Sequence, residues 1–179
     1  DQITVPRFST ELPEFAEAEK AVQARIDHLM GIKGKKSVDS IHKELGHIMW
    51  EYVGMGRTEE GLKTALKLLK DIRKEFETNL FIPGSTEGVN IELEKALRLN
   101  DFITMGELIA YDALNRNESC GGHFREEYQT EEGEAKRDDE NYFYVSCWEY
   151  QGSDDVAPVL YKEPLVYEAI KVQTRNYKS

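Results

Sequence analysis

The stretch that decides the fold is NIELEKALRLNDFITMGELIAYDALN, residues 90–115. Asn90 is a good helix N-cap, because its side-chain oxygen can accept a hydrogen bond from a free N–H of the first turn. Leu93, Ala96, Leu97, Leu99, Phe102, Ile103, Met105, Leu108, Ile109, Ala113 and Leu114 follow at helical spacing. Toward the C-terminal half they cover most of the circumference. A helix that is apolar nearly all round is buried on several sides. This one is therefore the centre of a bundle, or it is covered by something outside the chain.

Toward the N-terminus, three more stripes recur every three or four residues, the spacing of one helix face. After Pro13 come Phe15, Ala18, Val22, Ile26 and Leu29, stopped by Gly31 and Gly34. Ser37 caps a second helix with Val38, Ile41, Leu45, Ile48 and Tyr52 on one face, ended by Gly54 and Gly56. Thr58 caps a third, whose Glu59 and Glu60 suit the positive end of the helix dipole. Its stripe is Leu62, Ala65, Leu66, Leu69, Ile72 and Phe76, while Lys63, Lys67, Lys70 and Lys74 form a solvated face. Pro83 to Gly88 is a loop. Trp50 and Trp148 are expected in the core.

The pattern changes after Arg116. Residues 117–141 have no period and read as a long loop, the kind of segment that is usually functional or disordered. Tyr142–Tyr150 reads as a strand, Gln151–Asp155 as a turn and Val159–Lys162 as the partner strand. Pro164 interrupts that partner, and Leu165–Val172 continues as an edge strand or a short extension. The expected organisation is an extended lead-in over 1–12, a helical bundle over 13–116, and a long loop, β-hairpin and tail over 117–179 packed on the bundle.

Composition narrows the function classes. The 179 residues carry a net charge of −11, with 40% hydrophobic and 32% charged residues. An acidic surface repels phosphate backbones and anionic lipid, so nucleic acid is not an expected partner. No apolar run approaches the roughly 18 residues that span a bilayer. The start, Asp1-Gln2-Ile3-Thr4-Val5, is neither a signal peptide nor a translation start, and it reads as the edge of an excised piece. Two cysteines, Cys120 and Cys147, are too few for a disulfide framework and read as free thiols.

The candidate chemistry is sparse. There is no G-x-G-x-x-G and no P-loop, so this chain alone is not expected to hold a flavin. His42 and His47 stand five apart, on different faces of a helix, whereas zinc on one helix wants three or four. Cys120, His123 and Cys147 offer three soft ligands where a structural zinc site takes four. A Cys120–His123 nucleophile pair lacks an evident orienting group. The carboxylates Glu126-Glu127, Glu131-Glu132 and Asp138-Asp139-Glu140 lie in a polar loop, not in the apolar pocket a glycosidase acid needs. Catalytic, cofactor-binding and metal residues are therefore expected to be none.

One segment goes further. Arg116-Asn117-Glu118-Ser119-Cys120-Gly121-Gly122-His123-Phe124-Arg125-Glu126-Glu127-Tyr128, followed by Arg137-Asp138-Asp139-Glu140, resembles a signature of succinate dehydrogenase and fumarate reductase flavoprotein subunits. The family pattern runs roughly E-S-R-G-x-H-x-R-x-D, a gap, then R-D-D. Glu118, Ser119, Gly121, His123, Arg125 and the Arg137-Asp138-Asp139 run match it. The pattern's arginine is Cys120 here and its aspartate is Glu127, so no role of that arginine carries over. The segment Ile48 to Met55 and the helix around 100–115 are also similar to the family. The insertion Gln129–Lys136 and the run Lys162 to Glu168 look most like the Bacteroidetes form.

The resemblance implies a mainly α fold: a spectrin-like three-helix bundle with an additional N-terminal helix, then a long loop and a small C-terminal β-hairpin. It implies a structural support domain, inactive alone, at the C-terminal end of an oxidoreductase subunit. The parent interconverts succinate and fumarate with FAD, and its electrons pass through an iron–sulfur subunit to or from quinone. The FAD and dicarboxylate sites would lie in upstream domains. Implied partners are the flavin-binding and capping domains, the iron–sulfur subunit and, indirectly, a membrane anchor. The implied location is the cytoplasmic side of the inner membrane, as a peripheral part of the complex. Glu118, Ser119, Gly121, His123, Phe124, Arg125, Arg137, Asp138 and Asp139 become the motif residues expected at an interface. The alternative is a free-standing acidic helical interaction module.

Overall fold

The computed structural model describes residues 8–153 and 156–173. In chain order it has α1 (Pro13–Gly31), β1 (Lys36–Ser37), α2 (Val38–Val53), α3 (Glu59–Asn79), β2 (Leu80–Phe81), α4 (Ile91–Asn115), α5 (Asp139–Tyr142), β3 (Tyr144–Glu149) and β4 (Val159–Pro164). The fold is mainly α with a small antiparallel hairpin near the end. Residues 1–7 of the expected lead-in, Asp154 and Asp155 of the expected turn, and the tail from 174 lie outside the described residues.

Three helix starts follow from local capping. Ser37 Oγ accepts from Ser40 N at 3.2 Å, Thr58 Oγ1 from Gly61 N at 3.0 Å, and Asn90 Oδ1 from Leu93 N at 3.1 Å. Each satisfies an N–H that the helix itself leaves without a partner.

The chain divides into two compact units, residues 1–45 with 70–104 and residues 46–69 with 105–179. In the first unit the core is Val38, Ile41 and Leu45 of α2, Ile72 and Phe76 of α3, Leu80 and Ile82 after it, Leu93, Ala96, Leu99 and Ile103 of α4, and Leu29. Between its helices, β1 and β2 pair in parallel, Lys36 beside Leu80 and Ser37 beside Phe81. The approach needs glycine: a Cβ on Gly34 would lie 1.9 Å from the Asn79 carbonyl carbon. Lys36 Nζ reaches Glu44 at 2.9 Å and Glu75 at 3.3 Å; the Glu44 hydrogen bond is the main reason its ammonium titrates above the ordinary lysine value.

In the second unit Ile48, Val53, Leu62, Ala65, Leu69, Ala110 and Ala113 are buried, together with three polar residues, Glu118, Ser119 and Arg125. Here β3 and β4 run antiparallel, from Tyr144 beside Pro164 to Glu149 beside Val159. Leu165 N donates to Phe143 O at 3.2 Å, and no regular strand follows Pro164 among the described residues.

One core expectation, that for Trp50, is corrected, and one periodic stripe lies open. The α1 stripe has the right period, yet only Leu29 of the helix is buried; Phe15 is 50% and Val22 61% exposed. Periodicity marks a face without supplying anything to cover it. Trp50 is 82% exposed instead of being in the core, because α2 turns Ile48 and Val53 inward. Trp148 is half-buried, its ring edge-on to Tyr111 with centroids 5.0 Å apart. On α4, Phe102, Met105 and Ile109 remain exposed, so the helix is open on part of the apolar surface that its sequence carries.

Candidate functional site

The motif loop is organised around the last turn of α4. A helix C-terminus leaves its final carbonyls without intrahelical donors. Arg125 supplies them: Nη1 donates to Ala113 O at 3.0 Å and Leu114 O at 3.4 Å, while Nε donates to Glu127 Oε2 at 3.1 Å. The guanidinium lies over the Tyr128 ring, 5.4 Å from its centroid, and the residue is 0% exposed. The positive charge sits where the helix dipole is negative.

Ser119 locks the loop against this arginine. Its Oγ accepts from Arg125 N at 2.8 Å and donates to Arg125 O at 3.1 Å. The neighbouring Glu118 is 2% exposed, with one carboxylate oxygen on Arg116 Nη1 at 2.8 Å and the other on Asp138 N at 2.9 Å. Arg116 continues outward to Tyr142 O and Tyr144 O, both at 3.1 Å, and lies over the Tyr144 ring at 5.0 Å. Asp138 then caps α5 by accepting from Asn141 N.

His123 is held from both sides. Arginine can only donate, so Nδ1 accepts from Arg57 Nη1 at 2.8 Å, and Nε2 carries the proton donated to Arg116 O at 2.9 Å. Burial pushes its pKa below the usual histidine value; the Arg116 carbonyl opposes this, and the charges of Arg57, Arg125 and Arg116 reinforce it. The turn that presents His123 is closed by Cys120 N to His123 O at 2.8 Å and the reverse bond at 3.0 Å. Gly121 there has φ 59°, a left-handed conformation that favours glycine.

The loop is also tied to the α2–α3 connection. Arg57 N donates to Phe124 O at 3.0 Å and Glu126 N to Arg57 O at 2.8 Å. Glu127 accepts from Glu59 N at the start of α3. Burial pushes the Glu127 carboxyl up, but the Glu59 N–H, its own backbone N–H and the Arg125 guanidinium outweigh this and hold it below the usual carboxylate range.

The motif residues therefore part company. Glu118, Ser119 and Arg125 are interior, His123 and Phe124 are half-buried, and the tip Cys120–Gly122 is exposed. Arg137 pairs with Asp139 at the surface and donates to Gln173 O at 3.3 Å. Sequence reading missed Arg57, which lies in a short helix connection with no motif around it, and missed that Arg116 serves the hairpin.

Beside the loop lies a groove of about 520 Å³ between α4 and β3. Leu108, Ile109, Asp112 and Ala113 form one wall, Val145, Ser146 and Trp148 the other, with Arg57, Arg116, Cys120 and His123 at its end. No group of three or more His, Cys, Asp or Glu side chains able to hold a metal is present among the described residues.

The sequence matches the family profile described as "Fumarate reductase flavoprotein C-term" over residues 42–177. The chain belongs to this family. It is 31% identical over 112 residues to an uncharacterized FAD-dependent oxidoreductase of Methanocaldococcus jannaschii, covering 63% of this chain and 20% of that protein. It is 29% identical over 121 residues to the fumarate reductase flavoprotein subunit of Proteus vulgaris, covering 68% and 19%. A solved quinol–fumarate reductase with menaquinol molecules has the same fold, with TM-score 0.75 and 22% identity over 94% of this chain and 28% of that one. The chain thus spans about a fifth of the length of the curated relatives it matches.

A family named for flavoproteins raises the question of whether these residues fit a flavin dinucleotide. They do not. A dinucleotide pyrophosphate sits on a helix N-terminus approached by glycine backbone. Here every helix start carries acids: Glu14, Asp39, Glu59 and Glu60, Glu92 and Glu94, and Asp139 and Glu140. These carboxylates would repel the phosphates.

Proposed function

We propose that the chain is the C-terminal support domain of the flavoprotein subunit of a succinate dehydrogenase or fumarate reductase. In this reading the parent subunit interconverts succinate and fumarate with FAD held in other domains, and the present residues perform no chemical step. The partners are the flavin-binding and capping domains of the same subunit and an iron–sulfur subunit, with a membrane anchor reached indirectly. No helix among the described residues is long and apolar enough to cross a membrane, in keeping with a peripheral place on the cytoplasmic side of the inner membrane.

The observation that carries the reading is the inward wiring of the family motif. Arg116, Glu118 and His123 spend their polar groups on backbone carbonyls, a backbone N–H and one another, and Arg125 spends Nε and Nη1 on Glu127 and helix carbonyls, leaving Nη2 buried without a hydrogen-bond partner among the described residues. Groups used in this way brace the end of α4, and the arginines gathered around His123 are engaged inward instead of presented to a dicarboxylate. The surface that remains, the Cys120–Gly122 tip, Phe124 and the Arg137–Asp139 pair, is the part that we assign to the flavin domain.

The test has two arms. The codons preceding Asp1 should encode a G-x-G-x-x-G strand–turn–helix, and the purified chain should bind neither FAD nor succinate by isothermal titration calorimetry. A start codon directly before Asp1, or a yellow chain that reduces a dye with succinate, would overturn the reading.

A further inference from the structure

The apolar stripe of α1 runs outward from a buried anchor. Leu29 packs in the core of the first unit. Beside it, Arg25 Nη2 donates to Asp101 Oδ1 at 3.2 Å and Leu97 O at 3.3 Å, and His28 meets Glu77 at 2.8 Å. These contacts hold the end of the helix alone. Every residue from Phe8 to Arg25 is exposed, so the first twelve residues of α1, roughly 18 Å of helix, bury no side chain. Phe15, Val22 and Leu29 recur every seven residues, two turns of helix. The exposed ring and methyls thus continue the line of a side chain that the core already covers.

Two observations say what covers it. Glu19 stands four residues after Phe15 and three before Val22, which puts its carboxylate on the same face. It has no ion pair among the described residues. A second α1 packed on the stripe would bring another Glu19 and no free cation, since Lys20 stands about 100° round the helix and Arg25 is paired with Asp101. The second observation is where the rest of the polypeptide joins. The chain spans about a fifth of its curated relatives, and the family profile it matches is of a C-terminal part. The preceding polypeptide therefore enters at Asp1, twelve residues ahead of Pro13. Twelve residues reach at most about 43 Å, and a partner tethered so closely acts at a millimolar effective concentration.

We propose that the polypeptide preceding Asp1 in the same subunit covers Phe15 and Val22 with an apolar face that carries a lysine or arginine opposite Glu19. The proposal deepens the support role and rests on it, adding α1 to the motif loop as a docking element. Covering the stripe takes a phenyl ring and a valine side chain out of water. A carboxylate buried among them without a partner would be costly, and a cation on the covering face offsets that cost. The sign of that charge fixes the register of the two faces.

The test is maleimide labelling of the subunit expressed from its whole reading frame. One variant carries Val22→Cys, on the stripe, and another Ala24→Cys, about 200° round the helix. Both positions are exposed in this chain. Peptide mass spectrometry counts each added thiol apart from Cys120 and Cys147. In the native subunit position 22 should label about tenfold or more slowly than position 24, and equally fast after denaturation. Adding Glu19→Lys sets like charges together and should bring position 22 to within about twofold of position 24. Equal native rates, protection that disappears on dilution as a second copy would give, or protection that survives Glu19→Lys would each overturn the proposal. FAD absorbance of the same samples reads the support role separately. A yellow subunit that labels equally at both positions ends this inference alone, and a protected position 22 in a subunit without flavin ends the support reading alone.

Discussion

The Nη1 of Arg57 donates to Nδ1 of His123 at 2.8 Å, which fixes the imidazole as a neutral ring with its proton on Nε2. The folded protein therefore resists protonating His123, and the Arg57, Arg116 and Arg125 charges around it add to that resistance. The unfolded chain protonates near the ordinary value of 6.5. Between that value and the lower folded one the unfolded state binds more protons, so stability rises with pH there. His123 thus contributes stability that is fully present above about pH 6.5 and is lost as pH falls through the window below it. Urea denaturation at a series of pH values should show this slope, and His123→Gln should flatten it.

Arg125 should be the most sensitive single position of the loop. Arg125→Leu removes the donors for Ala113 O and Leu114 O and strands Glu127 without its guanidinium. Losing bonds to a buried charged group costs about 3 kcal/mol, roughly 6–12 °C in Tm for a domain of this size. Arg125→Lys keeps the charge but not the fork, and should recover only part of the loss. A Leu variant that melts with the parent protein would show that the network is decorative.

Two glycines should respond in opposite directions. A Cβ at Gly34 would collide with the Asn79 backbone, so Gly34→Ala must break the approach of β1 to β2. Gly46 lies within α2 with nothing within 4 Å of a Cβ. Gly46→Ala should stabilise by about 0.5–1 kcal/mol, through helix propensity alone. Thermal melts of the pair check both signs.

Removing residues 1–24 should matter little. Phe15 and Val22 are exposed, and the side chains that α1 commits to its unit lie later, at Arg25, His28 and Leu29. A change within about 0.5 kcal/mol is expected. A drop of several kilocalories would mean that the exposed stripe is covered in solution.

Legibility in the sequence divided along the range of the forces involved. The caps Ser37, Thr58 and Asn90 were readable, because a cap bonds within its own first turn. The stripes of α2 and α3 were readable, since their apolar faces find partners within the chain. The same signal misled at α1 and Trp50, where a face exists without a partner. The motif flagged Glu118, Ser119, His123 and Arg125, but not that three of them are interior. Burial of Arg125 depends on carbonyls eleven and twelve residues earlier, brought near only by the end of α4. Arg57 was invisible because its partner His123 is 66 positions away.

The central claim is that this chain supports a flavin site made by other parts of the same subunit. The direct measurement is flavin retention by those parts with and without the chain. The remainder of the reading frame is expressed alone and together with this chain in trans, and both are purified and read for FAD absorbance and for succinate-driven dye reduction. The account predicts a yellow, dye-reducing complex only when the chain is present, and a weakened one when the chain carries Arg125→Leu. A remainder that keeps its FAD and its full rate without the chain, or a complex that contains no flavin even with the chain present, would contradict it.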